Sequence, residues 1–215
     1  MTNIDAGLFR KYDVRGEAEG VSAALNETSA FYIGQAFGTF LQAGHQADQV
    51  IIGQDNRTTS PTLTNALIAG LQASGCTAIN IGLCSTPVVY WAVAQHAQGQ
   101  ADVGGVMVTG SHLEPRFNGF KFCVGRTSIH SDQIQTLREI IEDNALMRGN
   151  GDMQRQEDII GRYVADVSRR IPIGRKLRVV VDAGNGTGGL VAPALLRVWG
   201  QDLLTCLYCE PDSRY

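Results

Sequence analysis

Short apolar runs alternate with longer amphipathic stretches along most of this chain. The pattern predicts strands at Gln49–Gly53, Thr77–Ile81, Ala101–Val108 and Gly119–Val124. Between them lie stretches with helical periodicity. Ser60-Pro61 opens one that runs to about Ser74, and Thr86-Pro87 opens the next. Proline suits a first helical turn, where its missing N–H has no partner to lose. An amphipathic helix from Tyr32 to about Gln42 precedes the first strand. Another is expected from Ser131 to about Met147, with Ser131 as N-cap.

The polar, glycine-rich Arg148-Gly149-Asn150-Gly151-Asp152 reads as a linker. Beyond it come a helix at about Glu157–Arg170, a strand at Leu177–Asp182, a helix at Leu190–Trp199 and a strand at Leu203–Cys209. Strands that alternate with helices of this length imply an α/β fold with a mixed, mainly parallel sheet sandwiched by helices. The expected division is a first domain over residues 1–150 and the incomplete opening of a second α/β unit over 151–215, since strand–helix–strand is only part of a domain.

Composition narrows the class without naming a function. The 215 residues are 44% hydrophobic with a net charge of −3. That balance gives no electrostatic reason to expect nucleic acid or an anionic membrane as partner. Met1–Arg10 holds no apolar run, and no stretch approaches the roughly 20 apolar residues of a membrane span. A cytoplasmic protein is expected. The five cysteines, Cys76, Cys84, Cys123, Cys206 and Cys209, show no framework spacing and read as reduced thiols. Cys206 and Cys209 sit in an apolar strand-like run, where residues three apart face opposite ways, so two core cysteines are expected rather than a redox or metal pair.

The candidate chemistry gathers around Val106-Met107-Val108-Thr109-Gly110-Ser111-His112 and Phe117-Asn118-Gly119-Phe120-Lys121. A buried strand that ends at Thr109-Gly110 sets Ser111 at a strand tip. A serine that passes a group on must be exposed and fixed, and a strand tip provides both. Gly110 and Gly119 lack a Cβ, so another strand or molecule can come close to the backbone. Lys121 is the candidate proton donor or acceptor, and Arg15 offers a planar fork for phosphate oxygens. Asn118-Gly119 reads as a hairpin turn that brings Lys121 back towards Ser111. Alone, each has an ordinary structural explanation: a turn serine, a surface histidine at His112, a strand lysine, a hairpin.

Their spacing resembles the phosphoserine loop of the α-D-phosphohexomutases, the phosphoglucomutases and phosphomannomutases. Phe9-Arg10-Lys11-Tyr12-Asp13-Val14-Arg15-Gly16 is similar to that family's N-terminal substrate-side segment. Gly53-Gln54-Asp55-Asn56-Arg57-Thr58-Thr59-Ser60-Pro61 is similar to its loop after the first sheet strand, and Val181–Gly189 to the start of its second domain. The resemblance implies exchange between hexose 1-phosphate and 6-phosphate, with Ser111 as phosphoryl carrier, Lys121 as acid or base, and His112 and Arg15 beside them. Tyr12, Arg15 and Asn118 would bind substrate. Magnesium would sit on the Ser111 phosphate, and glucose 1,6-bisphosphate would serve as activator and intermediate. Arg57 reads as structural, in a loop knit together by Asp55 and Ser60.

The loop departs from the family pattern at Leu113-Glu114, which puts an acid near a phosphate site. No Asp-x-Asp-x-Asp run for a metal occurs in the sequence. The expectation is therefore an N-terminal part of a mutase: an incomplete catalyst, or an inactive binding fragment. Its unfinished second unit is expected to expose an edge strand and to favour self-association. A competing reading comes from Gly184-Asn185-Gly186-Thr187-Gly188-Gly189, which fits G-x-G-x-x-G between a strand and a helix, with Glu210 about 20 residues on. A dinucleotide-binding oxidoreductase fragment would use it so. That reading leaves Arg15 and Ser111 unexplained and the rest of a nucleotide domain without room.

Overall fold

The computed structural model describes residues 4–97 and 103–214. After a short 3-10 turn at Ala6–Leu8, strand β1 (Val14–Glu17) leads to helix α1 (Glu27–His45). Strand β2 (Gln49–Gln54), helix α2 (Ser60–Ala73), strand β3 (Thr77–Leu83), helix α3 (Thr86–His96) and strand β4 (Gly104–Val108) follow in alternation. The expected start of β4 at Ala101 lies outside the described residues. Then come β5 (Phe117–Val124), the short β6 (Thr127–Ser128), α4 (Asp132–Glu142), β7 (Met153–Arg155), α5 (Ile159–Arg170), β8 (Arg178–Asp182), α6 (Gly188–Val198) and β9 (Asp202–Leu207).

The first sheet runs β1-β5-β4-β2-β3-β7, with β6 beside β5. β2 is parallel to both β3 and β4, and β3 to β7. β5 is antiparallel to β1, β4 and β6, so it alone runs against the rest. The sheet is mixed and mainly parallel, as the alternation predicts. Helices cover both faces. On one, α1, α2 and α4 bury Phe37, Leu67 and Leu137 against Val14, Val106 and Phe120. On the other, α3 and α5 bury Val89, Val93 and Ile159 against Ile51, Met107 and Cys123. α1 and α2 approach closely: a Cβ on Gly34 or Gly70 would collide with the partner helix's backbone. The Asn26–Ser29 capping box starts α1 five residues before the expected Tyr32.

Three expectations need correction. Asn118-Gly119 is no hairpin turn. Both residues lie inside β5, where Asn118 faces Gly16 and Gly119 faces Arg15. Strand partners on both sides override a purely local turn preference. Helix α4 stops at Glu142, short of Met147, and Ser131 precedes it with a φ of 50° and no capping hydrogen bond from its side chain. The supposed linker is laid down on the end of α2. Gly149 N–H donates to Ala73 C=O at 2.8 Å and Gly151 N–H to Gln72 C=O at 2.9 Å. The chain then adds β7 to the first sheet, and Asp166 of α5 accepts from Trp91 Nε1 of α3 at 2.8 Å.

β8 and β9 make a separate two-stranded parallel sheet joined by α6. Here Val180, Val198 and Leu207 remain exposed.

Candidate functional site

The site begins where β2 and β4 end side by side, with Asp55 N–H donating to Val108 C=O at 2.9 Å. Ligands of open α/β sheets sit beyond the carboxyl ends of such strands. From the end of β2 comes Arg57, largely buried, and from the end of β4 comes the Ser111 loop. The Arg57 guanidinium donates to four carbonyls of that loop: Glu114 at 2.7 Å and Phe117 at 2.9 Å through Nη1, Leu113 at 2.7 Å and Ser111 at 3.1 Å through Nη2. Its Nε lies 3.3 Å from Asp55 Oδ2. Ser60 Oγ donates to Asp55 Oδ1 at 2.5 Å and fixes the carboxylate. Gly110 is required here, because a Cβ on it would fall 2.5 Å from Arg57 Cζ. The sequence suggested a structural Arg57 but not its span, some sixty residues along the chain.

Ser111 is exposed and holds a left-handed φ of 56°. A non-glycine residue there costs roughly 1 kcal/mol or more, so the neighbours must impose it. Thr109 Oγ1 accepts the Ser111 N–H at 2.8 Å, and the Arg57 clamp holds its carbonyl. Ser111 Oγ stands 3.3 Å from His112 Nδ1, and both side chains face solvent. The structure thus presents an exposed hydroxyl on a backbone held from both sides at the strand tip. Lys121 is half-buried opposite Met107, and Arg15 is opposite Gly119. Phe120 and Val14 face the α1 and α2 side, so Lys121 and Arg15, one residue along, share the other face of the sheet. Arg15 Nη2 is bonded to Asp13 Oδ2 at 2.5 Å, while its buried Nε has no protein partner.

Two expected substrate contacts fare differently. Tyr12 is exposed, with its ring against His130 and the Lys11 ammonium above it. Asn118 is sealed from solvent, which corrects the expectation that it touches substrate. Its Nδ2 donates to Thr59 Oγ1 and Ser60 Oγ, both at 2.9 Å, and its Oδ1 accepts from Gly119 N–H at 2.9 Å. Asn118 ties β5 to the loop that carries Arg57. A cleft of about 600 Å³ lies beside Ser111. Its floor includes Met107 and Thr109, one side the start of α3 at Ser85–Pro87, and the far wall Gly184–Thr187 before α6. Asn56 Nδ2 reaches across to the Asn185 carbonyl at 2.9 Å.

Residues 6–148 match the family model for phosphoglucomutase/phosphomannomutase, alpha/beta/alpha domain I. The chain belongs to the phosphoglucomutase/phosphomannomutase family. It is 39% identical over 213 residues to a phosphomannomutase/phosphoglucomutase of Pseudomonas aeruginosa, covering 99% of this chain and 44% of that protein. A phosphoglucomutase of Neisseria gonorrhoeae is 32% identical over 217 residues, with coverage of 100% and 45%. The crystal structure of a phosphoglucomutase/phosphomannomutase family protein from Burkholderia thailandensis superposes with a TM-score of 0.88 at 35% identity, over 98% of this chain and 46% of that one. The chain therefore spans a little under half the length of these relatives.

Within this mutase-family frame the glycine-rich turn loses its dinucleotide reading, since the mutase relatives align along its whole length. It forms the far wall of the cleft instead. Glu114, the unusual acid of the loop, turns to Arg116 at 3.1 Å. Among the described residues no three or more His, Cys, Asp or Glu side chains group to hold a metal ion. Asp55, the acid nearest the clamp, is committed to Arg57 and Ser60. The donor set present does not fit a magnesium ion without a phosphate on Ser111 and ligands from elsewhere. Burial pushes the Cys84 and Cys123 thiols up to about 12, which leaves them protonated and inert. Cys206 and Cys209 are not core residues: Cys206 is exposed, and the two are joined in a disulfide. Strand alternation ends at Leu207, and a left-handed Tyr208 with φ of 47° turns Cys209 back to Cys206.

Proposed function

We propose that this chain carries the phosphoserine of a phosphohexomutase of the phosphomannomutase/phosphoglucomutase type. The observation that supports it most is the exposed Ser111 Oγ on a loop whose carbonyls are held by one buried guanidinium. Phosphoryl transfer asks a protein chiefly for positioning and for positive charge. In the proposed cycle the phosphoryl on Ser111 Oγ passes to the free hydroxyl of a hexose phosphate. Lys121 Nζ takes the proton from that hydroxyl, the departing Ser111 Oγ takes up a proton from water, and the planar guanidinium of Arg15 holds phosphate oxygens. The bisphosphate turns round, and Ser111 Oγ takes the other phosphoryl back. Glucose 1,6-bisphosphate restores the phosphoserine when the intermediate is lost. His112 orients Ser111 Oγ, and Tyr12 meets the sugar. Magnesium would find its one ligand on this chain in the Ser111 phosphate, and no step is assigned to it.

By itself the chain is proposed to be an incomplete catalyst. The lack of a metal donor set among the described residues also favours a second reading, a fragment that takes up phosphoryl without turnover. A cytoplasmic location is proposed, and among the described residues no helix is long and apolar enough to cross a membrane. Incubation with glucose 1,6-bisphosphate and magnesium, followed by peptide mass mapping and a coupled glucose 6-phosphate assay, tests both readings. The expected result is one phosphoryl group on Ser111, none on Ser111→Ala, and little turnover. Labelling that persists in Ser111→Ala would overturn the assignment, and rapid turnover would overturn the incompleteness. The exposed β8–β9 sheet supports the proposal of self-association, and a monomer by light scattering at all concentrations would remove it.

A further inference from the structure

We infer that Cys206 and Cys209 form a thiol–disulfide exchange site that controls the far wall of the cleft. This inference stands on a different part of the molecule from Ser111 and does not depend on phosphoryl transfer. Three of the five cysteines are buried, so exchange chemistry is confined to this pair. Cys206 is exposed where β9 ends, which gives an attacking thiolate direct access to its sulfur. The bond closes the turn through Tyr208, whose left-handed φ of 47° is one an unrestrained tyrosine seldom keeps.

That turn carries most of what holds Asn185. The Asn185 N–H donates to Tyr208 C=O at 2.8 Å, and its Nδ2 donates to Glu210 C=O at 3.0 Å. Its carbonyl accepts from Asp212 N–H at 2.9 Å as well as from Asn56 across the cleft. Ala183 N–H, one strand-width away, donates to Leu207 C=O at 3.0 Å. Gly189, at the start of α6, rests directly on the Cys209 backbone with no room for a Cβ. Oxidised, the pair holds these partners in place. Reduced, Tyr208 is free to leave the left-handed region and take the Asn185 and Ala183 acceptors with it.

The co-reactant is a dithiol. Its thiolate attacks Cys206 Sγ, the Cys206–Cys209 bond breaks, and the Cys209 thiolate takes up a proton. The second thiol of the reductant then attacks its own sulfur in the mixed disulfide and releases Cys206. Two electrons and two protons pass to the protein, and the dithiol leaves as a cyclic disulfide.

Hydrogen exchange on the oxidised chain, on the chain reduced with dithiothreitol, and on Cys206→Ser tests this, alongside iodoacetamide counting under native conditions. Exchange at the Ala183 and Asn185 amides should speed up at least about tenfold on reduction and in Cys206→Ser, while β3 stays unchanged. Iodoacetamide should add two labels only after reduction, and Cys206→Ser should no longer respond to dithiothreitol. Equal exchange in the two redox states would overturn the control of the cleft wall. Two accessible thiols before reduction in an air-oxidised sample would overturn the exchange site itself. Should Cys206→Ser fail to fold, the oxidised and reduced wild-type chains carry the same comparison.

Discussion

On one wall of the cleft, Ser111 follows a strand whose residues are all buried, and a single guanidinium fastens four of its loop carbonyls. On the other, Asn185 follows a strand whose residues are exposed or half-buried, and Pro193 is the buried residue of the helix that comes after it. Both walls place a left-handed residue at the cleft, Ser111 with φ of 56° and Asn185 with φ of 55°. The same backbone geometry is thus held in two ways. The first wall uses desolvated charge and a packed core. The second uses a few surface hydrogen bonds and a disulfide turn, and should open more readily. Chemistry that needs a fixed nucleophile belongs on the first wall, and adjustment belongs on the second.

The contrast can be broken most directly in the core. Phe37 is fully buried against Phe122, with ring centroids 4.8 Å apart, and Phe37→Ala should cost about 3–5 kcal/mol. Val180 is 56% exposed in β8, and Val180→Ala should cost less than about 0.5 kcal/mol. Urea unfolding of both variants reads the difference directly, and equal costs would mean that the second unit is as firmly built as the first.

Arg57→Ala comes next. It strands a buried Asp55 carboxylate and four carbonyls, and a loss of about 2–3 kcal/mol is expected in the same assay. Proteolysis between Ser111 and Arg116 should accelerate. Arg57→Lys should recover little, because an ammonium lacks the fork that reaches the four carbonyls. An unaltered cleavage pattern would show that the loop holds itself.

The smallest effect lies at the seam between α3 and α5. A hydrogen bond from Trp91, then those from Arg170 and Arg169, hold the Asp166 carboxyl well below the usual carboxylate range. Its pKa is lowered by folding, so its stabilisation is present above the unfolded value of about 3.9 and is lost as pH falls below it. Asp166→Asn should therefore lose that stabilisation at pH 7, flatten the acid limb of the unfolding curve below about pH 4, and differ least from the wild type at the acid end. An acid limb of unaltered slope would remove Asp166 from the account.

Much of this could be read from the residues. β2, β3 and β4 are apolar runs buried on both faces, and such runs announce themselves. The Ser111 strand tip and the Asp55–Ser60 loop were legible because tight turns and short hydrogen bonds are local events. What escaped was long-range or weakly patterned. Asn118-Gly119 looks like a hairpin until β1 and β4 are known to flank it. Met153–Arg155 is too short and too exposed to carry a strand's period, and only the free edge of β3 makes it one. The pairing of Cys206 with Cys209 depends on one reversed φ at Tyr208 that no alternation rule contains. Arg57 was visible as a structural residue, but its grip on Ser111 needed both strand ends in one place.

The position of β1 has a consequence for the order of events during synthesis. Val14 pairs with Phe120, and among the described strands β1 lies at the edge of the first sheet beside β5. Closing so long a loop is slow, and a strand made early must wait for one made late. On the ribosome, β2, β3 and α2 are complete while Arg15 is still unplaced. Arg15, proposed to hold phosphate, therefore arrives after the strands beneath the Ser111 loop have been laid. A chain halted before β5 would keep its N-terminal segment loose, available to chaperones and to proteases alike.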